Sequence, residues 1–441
     1  IDAEDTGTMT VNYRNEPIAL RVRDPNTNTQ AAGDAGDLSK VFLSNINRAD
    51  AALNVQPNFY PPLTGGVQAG DPFTPLLRAY ENDRIQIRTL VGATEESHNI
   101  NIHGVKWLFE PSDSNSGFRN SQSNGISEHF EFVLPALSAV KGDLPQADYL
   151  YETGSAVDDR WSGIWGILRA YNGSVGLQPD LRTLPSNPDG KAPPNKNPRD
   201  FVGFCPRTAP ERKFDISAVT ASNALPGGQL VYNSRTNQGG ALNDPTAILY
   251  ARTGDLDASG KLKAGVPIEP LVLRANAGDC IFIKLKNNLS ATLPDLAGFN
   301  TLPMLVDNFN ANQVLPSSQV GLHPQLVAYD VSGDDGANVG FNPIQTVAPG
   351  GTVSYKWYAG DVKVNSDGTR VATPIEFGAI NLMSSDPIKH SNKGAIGALI
   401  IEPKGSTWVE DTTSRASATV TKSDGTTFRD FVLLFQDDIN L

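Results

Sequence analysis

Short runs in which apolar and polar residues alternate dominate the chain. Clear examples are residues 84–90, 280–286 and 352–358. Alternation with a period of two is typical of strands that bury one face. Clusters of Gly, Pro and Asp, such as residues 349–351 and 423–425, mark turns between such runs. Helical periodicity is scarce, so the pattern predicts an all-β protein of sandwich or barrel type with few, short helices.

One series of segments occurs twice along the chain. Each copy consists of a strand, a tight acidic turn and a second strand, then a histidine-bearing segment, then a Gly-rich apolar run. The paired segments are 76–87 with 271–283, 97–104 with 321–324, and 161–168 with 394–400. The same order at a similar offset predicts two copies of one β-domain.

The domain boundaries follow from this repeat and from composition. Residues 172–210 contain eight prolines and several asparagines, which is typical of an extended linker. We therefore expect a first β-domain at 1–171, the linker at 172–210 and a second β-domain at 211–404. Residues 405–441 are expected to begin a further domain or to form a terminal strand segment.

Charge and composition exclude several classes of protein. The 441 residues carry a formal net charge of −12, which argues against binding to nucleic acid or to anionic lipid. No apolar run approaches the ~18 residues of a membrane span. The chain begins at Ile1 and ends just after the apolar run 431–435. We interpret these ends as those of a processed chain or of a piece of a larger protein.

The two cysteines, Cys205 and Cys280, lie neither in a Cys-x-x-Cys motif nor beside a histidine. A metal or redox motif is therefore not expected. One disulfide bond and two buried thiols are both compatible with the sequence. In an extracellular protein we expect the bond, which would tie the linker to the second domain. It would close a long loop, worth ~4 kcal/mol in the chain-entropy model.

Five histidines, His98, His103, His129, His323 and His390, are the candidates for metal chemistry. His98 and His103 are five positions apart, so on a flat strand they face opposite sides and cannot hold one ion. We expect His98 to face the sandwich interior near Thr153 and His103 to face a neighbouring domain. The alternative for each histidine is a hydrogen-bonded side chain without a metal.

The segment His98-Asn-Ile-Asn-Ile-His-Gly104 resembles the strand of multicopper oxidases and copper nitrite reductases that supplies histidine ligands to two copper sites. Further blocks resemble the large bacterial multicopper oxidases of the manganese-oxidising type. These blocks are 96–113, 124–131, 244–250, 322–330, 390–394 and 429–438. The resemblance covers most of the chain from about residue 77. It implies tandem cupredoxin-like Greek-key β-sandwiches in a secreted, periplasmic or cell-surface protein.

The resemblance also implies copper chemistry. A type 1 copper is held by two histidines, a cysteine thiolate and a weak axial ligand. In this family it takes single electrons from a substrate, in some members a metal ion such as Mn(II). The electrons pass to a trinuclear copper cluster that reduces dioxygen to water. By this resemblance His98, His103, His323 and His390 are the candidate copper ligands, and no catalytic residue is assigned.

The sequence departs from the family where the thiolate should stand. Glu152 and Thr153 occupy the positions of the histidine and cysteine in the first domain, and residues 376–383 of the second domain contain no cysteine. Met383 lies too early for the usual axial ligand. The five histidines include no His-x-His pair. The chain alone therefore cannot hold a complete multicopper site.

Two hypotheses remain open. In the first, the chain is a section of a multicopper-oxidase-type protein whose copper sites lie in further domains or other chains. In the second, it is a non-catalytic structural or assembly protein built from degenerate cupredoxin domains. Either way we expect an oligomer or part of a larger assembly.

Two weaker expectations complete the sequence analysis. Acidic loops at Asp24, Asp34 and Asp37, and at Asp334–Asp335 near Asn338, place oxygen side chains in a pattern that suits calcium. Ordinary turns are the alternative. Residues 428–436 are expected to form a strand whose sheet partners lie mostly outside the two complete domains, so that the chain associates. The alternative is that this strand folds back on the second domain.

Overall fold

The computed structural model describes residues 8–46, 71–92, 97–137, 144–154, 157–237, 240–296, 302, 304–306, 308–437 and 439. Its α-helices in these ranges are short: α1 (Ile18–Val22), α2 (Val157–Ser162) and α3 (Ala221–Ala224). Strands make up the rest of the regular structure, apart from a few single 3-10 turns. The predicted all-β fold class is confirmed. Among the described residues, no helix is long and apolar enough to cross a membrane.

The strands before the linker are β1 (Arg23–Asp24), β2 (Thr29–Gln30), β3 (Leu77–Tyr80), β4 (Gln86–Leu90), β5 (His98–Ile102), β6 (Trp107–Leu108), β7 (Phe118–Arg119), β8 (Ser121–Asn124), β9 (His129–Val133), β10 (Gln146–Thr153) and β11 (Trp165–Tyr171). We refer to β3–β11 as the first β-unit. Its main sheet has the order β3-β11-β10-β5-β8. In this sheet β3 runs parallel to β11, and the other neighbours are antiparallel. A β4–β9 ladder packs Ile87 and Phe132 against the same core.

The strands from the linker to the end of the repeat are β12 (Phe201–Val202), β13 (Cys205–Pro206), β14 (Glu211–Thr220), β15 (Leu230–Asn237), β16 (Gly240–Asp244), β17 (Ile248–Arg252), β18 (Leu271–Asn276), β19 (Cys280–Asn287), β20 (His323–Pro324), β21 (Thr352–Tyr358), β22 (Gly360–Val364), β23 (Arg370–Pro374), β24 (Gly378–Met383) and β25 (Gly397–Glu402). We refer to β14–β25 as the second β-unit. Its two sheets have the orders β17-β14-β19-β21 and β18-β25-β24-β20.

The two β-units repeat one strand order. The first strand of each repeat pairs in parallel with the last, with Leu77 beside Leu168 in one unit and Leu271 beside Gly397 in the other. The last strand pairs with the penultimate strand, which pairs in turn with the histidine-bearing strand. These are the segments that repeat in the sequence. The residue boundaries of the domains stay a prediction, since the strand order does not define them.

The apolar core runs across both units. One large cluster joins buried residues of the first β-unit, such as Trp107 and Tyr149, to residues of the second, such as Tyr329 and Trp357. A second cluster forms around the N-terminal segment, where α1 packs with Trp165 of β11 and with residues of the second unit. The indole Nε1 of Trp165 donates a hydrogen bond to the carbonyl of Glu16 at 2.9 Å. The N-terminal segment therefore fills the junction between the units.

The predicted disulfide bond is present between Cys205 and Cys280, whose Cα atoms are 5.7 Å apart. It joins the short β12–β13 hairpin of the linker to the start of β19. Both cysteines are buried, and they pack with Ala328 and Tyr358. We call the hairpin and its bond to β19 the hairpin tether.

The terminal segment forms a three-stranded meander of β26 (Thr407–Glu410), β27 (Ser417–Thr421) and β28 (Thr427–Phe431). The prediction of a strand over 428–436 is wrong at its far end, because residues 432–437 form no strand. The sheet partner of β28 is β27, in the same terminal segment. Buried Arg274 of β18 pairs with Asp430 at 2.5 Å, so the meander contacts the second β-unit. The sheet partner β27 lies outside both predicted domains, as expected for β28, whereas the contact with Arg274 agrees with the alternative of a segment that folds back. Association with other chains stays a prediction.

Candidate functional site

Two histidines from equivalent strands meet at the junction of the β-units. His103 follows β5 directly, and its backbone N–H donates to the carbonyl of Leu150 on β10 at 2.9 Å. His323 opens β20 and lies opposite Met383 of β24 in the antiparallel register. Each histidine thus lies beside the penultimate strand of its own sheet. Because the repeat places both at the same relative position, docking of the two units brings their rings together.

The two imidazole rings stack, with ring centroids 3.7 Å apart and an interplanar angle of 18°. Asp335 lies across their edges. His103 Nδ1 is 3.1 Å from Asp335 Oδ2, and His323 Nδ1 is 2.6 Å from Asp335 Oδ1. The phenol of Tyr329 also donates to Oδ1, at 3.1 Å. His103, His323 and Asp335 are at most 4% exposed, so one buried carboxylate accepts hydrogen bonds from both rings.

A second carboxylate lies on the opposite edge of His103. Glu152 Oε1 is 3.7 Å from His103 Nε2, and Glu152 Oε2 is 3.0 Å from Arg160 Nε. Arg160 also donates to the carbonyl of Pro387 in the second unit at 3.1 Å. Charges therefore alternate along a buried line from Arg160 through Glu152 and His103 to Asp335. We call these four residues and His323 the junction cluster.

The pKa values of the cluster favour a proton on His103. Burial opposes that proton, but Asp335 and Glu152 outweigh burial and raise the pKa of His103 from 6.5 to about 9. Burial and the charge of His103 lower the pKa of His323. Burial opposes ionisation of Glu152, yet Arg160 and His103 lower its pKa to about 2. Burial likewise opposes ionisation of Asp335, and the two histidines nevertheless lower its pKa. The cluster thus holds two cations and two anions and is balanced without a further ion.

Among the residues that the structure describes, one group of three or more His, Cys, Asp and Glu side chains has its ligand atoms close enough together to hold a metal ion. The group consists of His103, His323 and Asp335. The group does not fit a type 1 copper. Both cysteines are consumed by the disulfide bond, so no thiolate exists in the chain. Both Nδ1 atoms are instead in hydrogen-bond contact with the carboxylate of Asp335.

The other predicted ligands lie elsewhere. His390 is fully buried; its Nε2 is 2.7 Å from the carbonyl of Ser317 and its Nδ1 is 2.6 Å from the hydroxyl of Ser384. Both ring nitrogens are therefore used, as in the alternative of a hydrogen-bonded histidine. His98, which we expect to face the interior near Thr153, is 23% exposed at its side chain, and its Nδ1 lies 3.1 Å from Asp159 of α2. Thr153, at the end of β10, is paired with Ile100, which lies two positions from His98 on the same face of β5. His129 opens β9 and is exposed.

The loops proposed for calcium use their carboxylates in other ways. Asp34 pairs with Lys40 at 2.6 Å. Asp37 accepts hydrogen bonds from the backbone and hydroxyl of Ser39 and from the hydroxyl of Ser317. Asp24 accepts from the backbone of Asn26, which is a turn contact. Asp335 belongs to the junction cluster, and Asn338 donates to the carbonyl of Ser39. These contacts correspond to the alternative of ordinary turns.

Sequence reasoning missed the partners of His103. The sequence marks Glu152 only as the replacement of a family histidine ligand, and Asp335 only as a candidate calcium ligand. A signal existed for Glu152, because β10 is buried at seven of its eight positions and a charge in such a strand requires a partner. No comparable signal marks Asp335, which is 232 positions from His103.

Comparisons with known proteins add little to this geometry. No family model matches the sequence, and no curated protein matches it. Among solved structures, a copper nitrite reductase from Nitrosomonas europaea is similar over 75% of this chain and 87% of that one. The two are 10% identical, with a TM-score of 0.19. The structure itself therefore shows an all-β fold with two repeated units, and the cupredoxin-like assignment remains what the resemblance in sequence implies.

Proposed function

We propose that this chain is a copper-free section of a secreted multicopper-oxidase-type protein. Its two cupredoxin-like units serve as a scaffold. One-electron oxidation of a substrate, with a metal ion such as Mn(II) as a candidate, takes place at copper centres that further domains or other chains of the protein supply. The disulfide bond supports an oxidising, extracytoplasmic location.

One observation carries the proposal. Two units with the same strand order place His103 and His323 ring against ring at their junction. This is where the family resemblance implies copper ligands, and Asp335 now bridges the rings by hydrogen bonds. A site of this kind is what remains when a domain keeps its packing after losing its metal. Within this chain the cluster binds the two units together.

A second candidate function is that of a structural or assembly protein without any oxidase activity. The charge balance of the junction cluster favours it, because the two cations and two anions of the cluster offset one another in charge. The loss of both cysteines to a disulfide bond also favours it. The two candidates make different statements about the complete protein, since only the oxidase requires copper outside this chain.

The test compares the unchanged complete protein with its His103→Gln, His323→Gln double variant. Metal analysis and Mn(II)-dependent dioxygen consumption should give the same copper content and rate per protein for both forms. A His129→Gln variant, altered at an exposed histidine, is the matched control. Loss of a copper atom in the double variant, with near-native circular dichroism, would show that the cluster is a metal site. A complete protein without copper or oxidase activity would favour the structural candidate.

A further inference from the structure

A cleft of about 820 Å³ lies between the linker and the second β-unit. Linker residues 197–201 and 206–210 line it, together with the turn 276–279 and β23. Cavities of about 300–1,000 Å³ are the usual size of sites for small organic ligands. The cleft is separate from the junction cluster, since the two share no residue.

Cationic side chains dominate the lining. They are Arg199, Arg207, Arg212, Arg370 and Lys404. Arg212 pairs with Asp279 at 3.3 Å and lies over the ring of Trp408. The other four form no ion pair with any residue that the structure describes. This excess of positive charge stands out in a chain whose net charge is −12.

The acidic residues of the lining do not cancel that excess. Asp279 is buried, faces Arg212 and accepts the backbone N–H of Asn276 at 2.9 Å. Glu211 pairs with Lys213 at 2.7 Å. Asp200 is the one remaining carboxylate of the lining, which also contains four cations that form no ion pair with any described residue.

The cleft is held in shape from both sides. The bond between Cys205 and Cys280 fixes the linker hairpin to β19. Asn197 and Arg370 exchange two hydrogen bonds, with the backbone N–H of Arg370 donating at 2.9 Å and the amide of Asn197 donating at 3.1 Å. Burial lowers the pKa of Arg370, and Asp330 offsets this only in part. A guanidinium that is removed from water in this way is stabilised by an anion.

We propose that this basic cleft binds an organic anion that carries two or more carboxylate or phosphate groups. The planar fork of an arginine matches either group with two parallel hydrogen bonds. Arg199 and Arg207 lie in the linker and Arg370 lies in β23, so a ligand with several charges can engage both sides of the cleft. The proposal does not depend on copper chemistry.

The test is calorimetric titration of the 441-residue protein at low salt with two probes, citrate for carboxylates and inositol hexakisphosphate for phosphates. At least one should bind. Arg207→Gln and Arg370→Gln should each weaken binding about tenfold, the effect of losing one charge-assisted hydrogen bond. Arg182→Gln is the matched control, because Arg182 is an exposed arginine of the same linker outside the cleft. Its affinity should stay within about twofold of the unchanged protein.

The probes separate the sources of the ligand. Tighter binding of citrate identifies a carboxylate ligand, and tighter binding of the phosphate probe identifies a phosphorylated one. The absence of binding by either probe would overturn the proposal. Equal weakening by Arg182→Gln and Arg207→Gln would overturn it as well, since it would reveal attraction to overall charge. Arg207 is exposed, so its substitution tests the cleft even where Arg370→Gln disturbs the fold.

Discussion

The junction cluster and the hairpin tether both join segments that are far apart in the sequence, but they do so by different chemistry. In the junction cluster, His103 and Asp335 meet through a hydrogen-bonded ion pair that requires a proton on His103. In the hairpin tether, Cys205 and Cys280 meet through a covalent bond. The first contact therefore responds to pH and the second to the redox potential of the surroundings. The junction cluster and the hairpin tether can therefore be weakened independently of each other.

Removal of the covalent bond should have the largest effect. The Cys205→Ala, Cys280→Ala double variant is expected to lose about 4 kcal/mol of unfolding free energy, because the bond closes a loop of 75 residues in the unfolded chain. Denaturant unfolding measures the loss. The denatured, unreduced protein should contain no free thiol; two free thiols would contradict the bond. The pH dependence of stability should be unchanged in this variant, since the junction cluster is intact.

Substitution of the bridging carboxylate should have the next largest effect. Asp335→Asn leaves two buried imidazoles without their anion, and we expect a loss of about 3–4 kcal/mol, as when one partner of a buried ion pair is removed. Denaturant unfolding at constant pH is the measurement. Asp189→Asn, at a side chain that is 70% exposed, is the control and should change stability by less than about 0.5 kcal/mol. Equal effects of the two substitutions would contradict a buried role for Asp335.

The repeat of the two β-units could be predicted from the sequence, but the contact between His103 and Asp335 could not. The apolar runs that begin at Leu77 and Leu271 predicted the repeat, because strand periodicity is a local property of the sequence. The outward direction of His103 followed from an equally local argument, whereas the disulfide bond was one of two alternatives that the sequence left open. The contact between His103 and Asp335 depends on how two finished units dock, which no single segment encodes. Residue types alone likewise do not determine that the rings of His103 and His323 stack against each other.

The unfolding free energy should depend on pH through the junction cluster. The folded-state pKa of His103 is raised from 6.5 to about 9, so its contribution to stability is complete below about pH 6.5 and is lost as the pH rises to about 9. The expected loss is about 3 kcal/mol. Glu152 acts in the opposite range, because its pKa is lowered from 4.5 to about 2 and its contribution is lost as the pH falls through that interval.

Unfolding free energies of the unchanged protein and of His103→Gln, measured from pH 5.5 to pH 9.5, test this directly. The difference between the two curves should shrink as the pH rises. His129→Gln provides the control, because the exposed ring of His129 should give no such trend. A constant difference across the range would show that folding does not raise the pKa of His103.

The smallest effect is expected where the two β-units meet near the surface. Lys106 pairs with Asp361 at 3.0 Å, and its ammonium group lies about 6 Å from the ring centroids of Phe118 and Phe377. Lys106→Met keeps the apolar stem and removes the charge, so we expect a loss of about 1 kcal/mol. Thermal unfolding in low and high salt is the measurement. A loss as large as that of Asp335→Asn would mean that this surface pair stabilises the junction as much as the junction cluster does.

The parallel pairing of first and last strands has a consequence for synthesis of the protein. In the repeated sheet of each β-unit, which begins with β3 in the first unit and with β18 in the second, the last strand lies between the first strand and the penultimate one, with Leu77 beside Leu168 and Leu271 beside Gly397. The main sheet of a unit can therefore close only after its last strand has left the ribosome. Until then the first strand and the penultimate strand both present open edges, and such edges pair with other chains. Contacts of such long sequence separation also fold slowly. The nascent chain should thus pass through two separate periods of vulnerability to aggregation, one for each unit, and chaperones that shield strand edges should act during both.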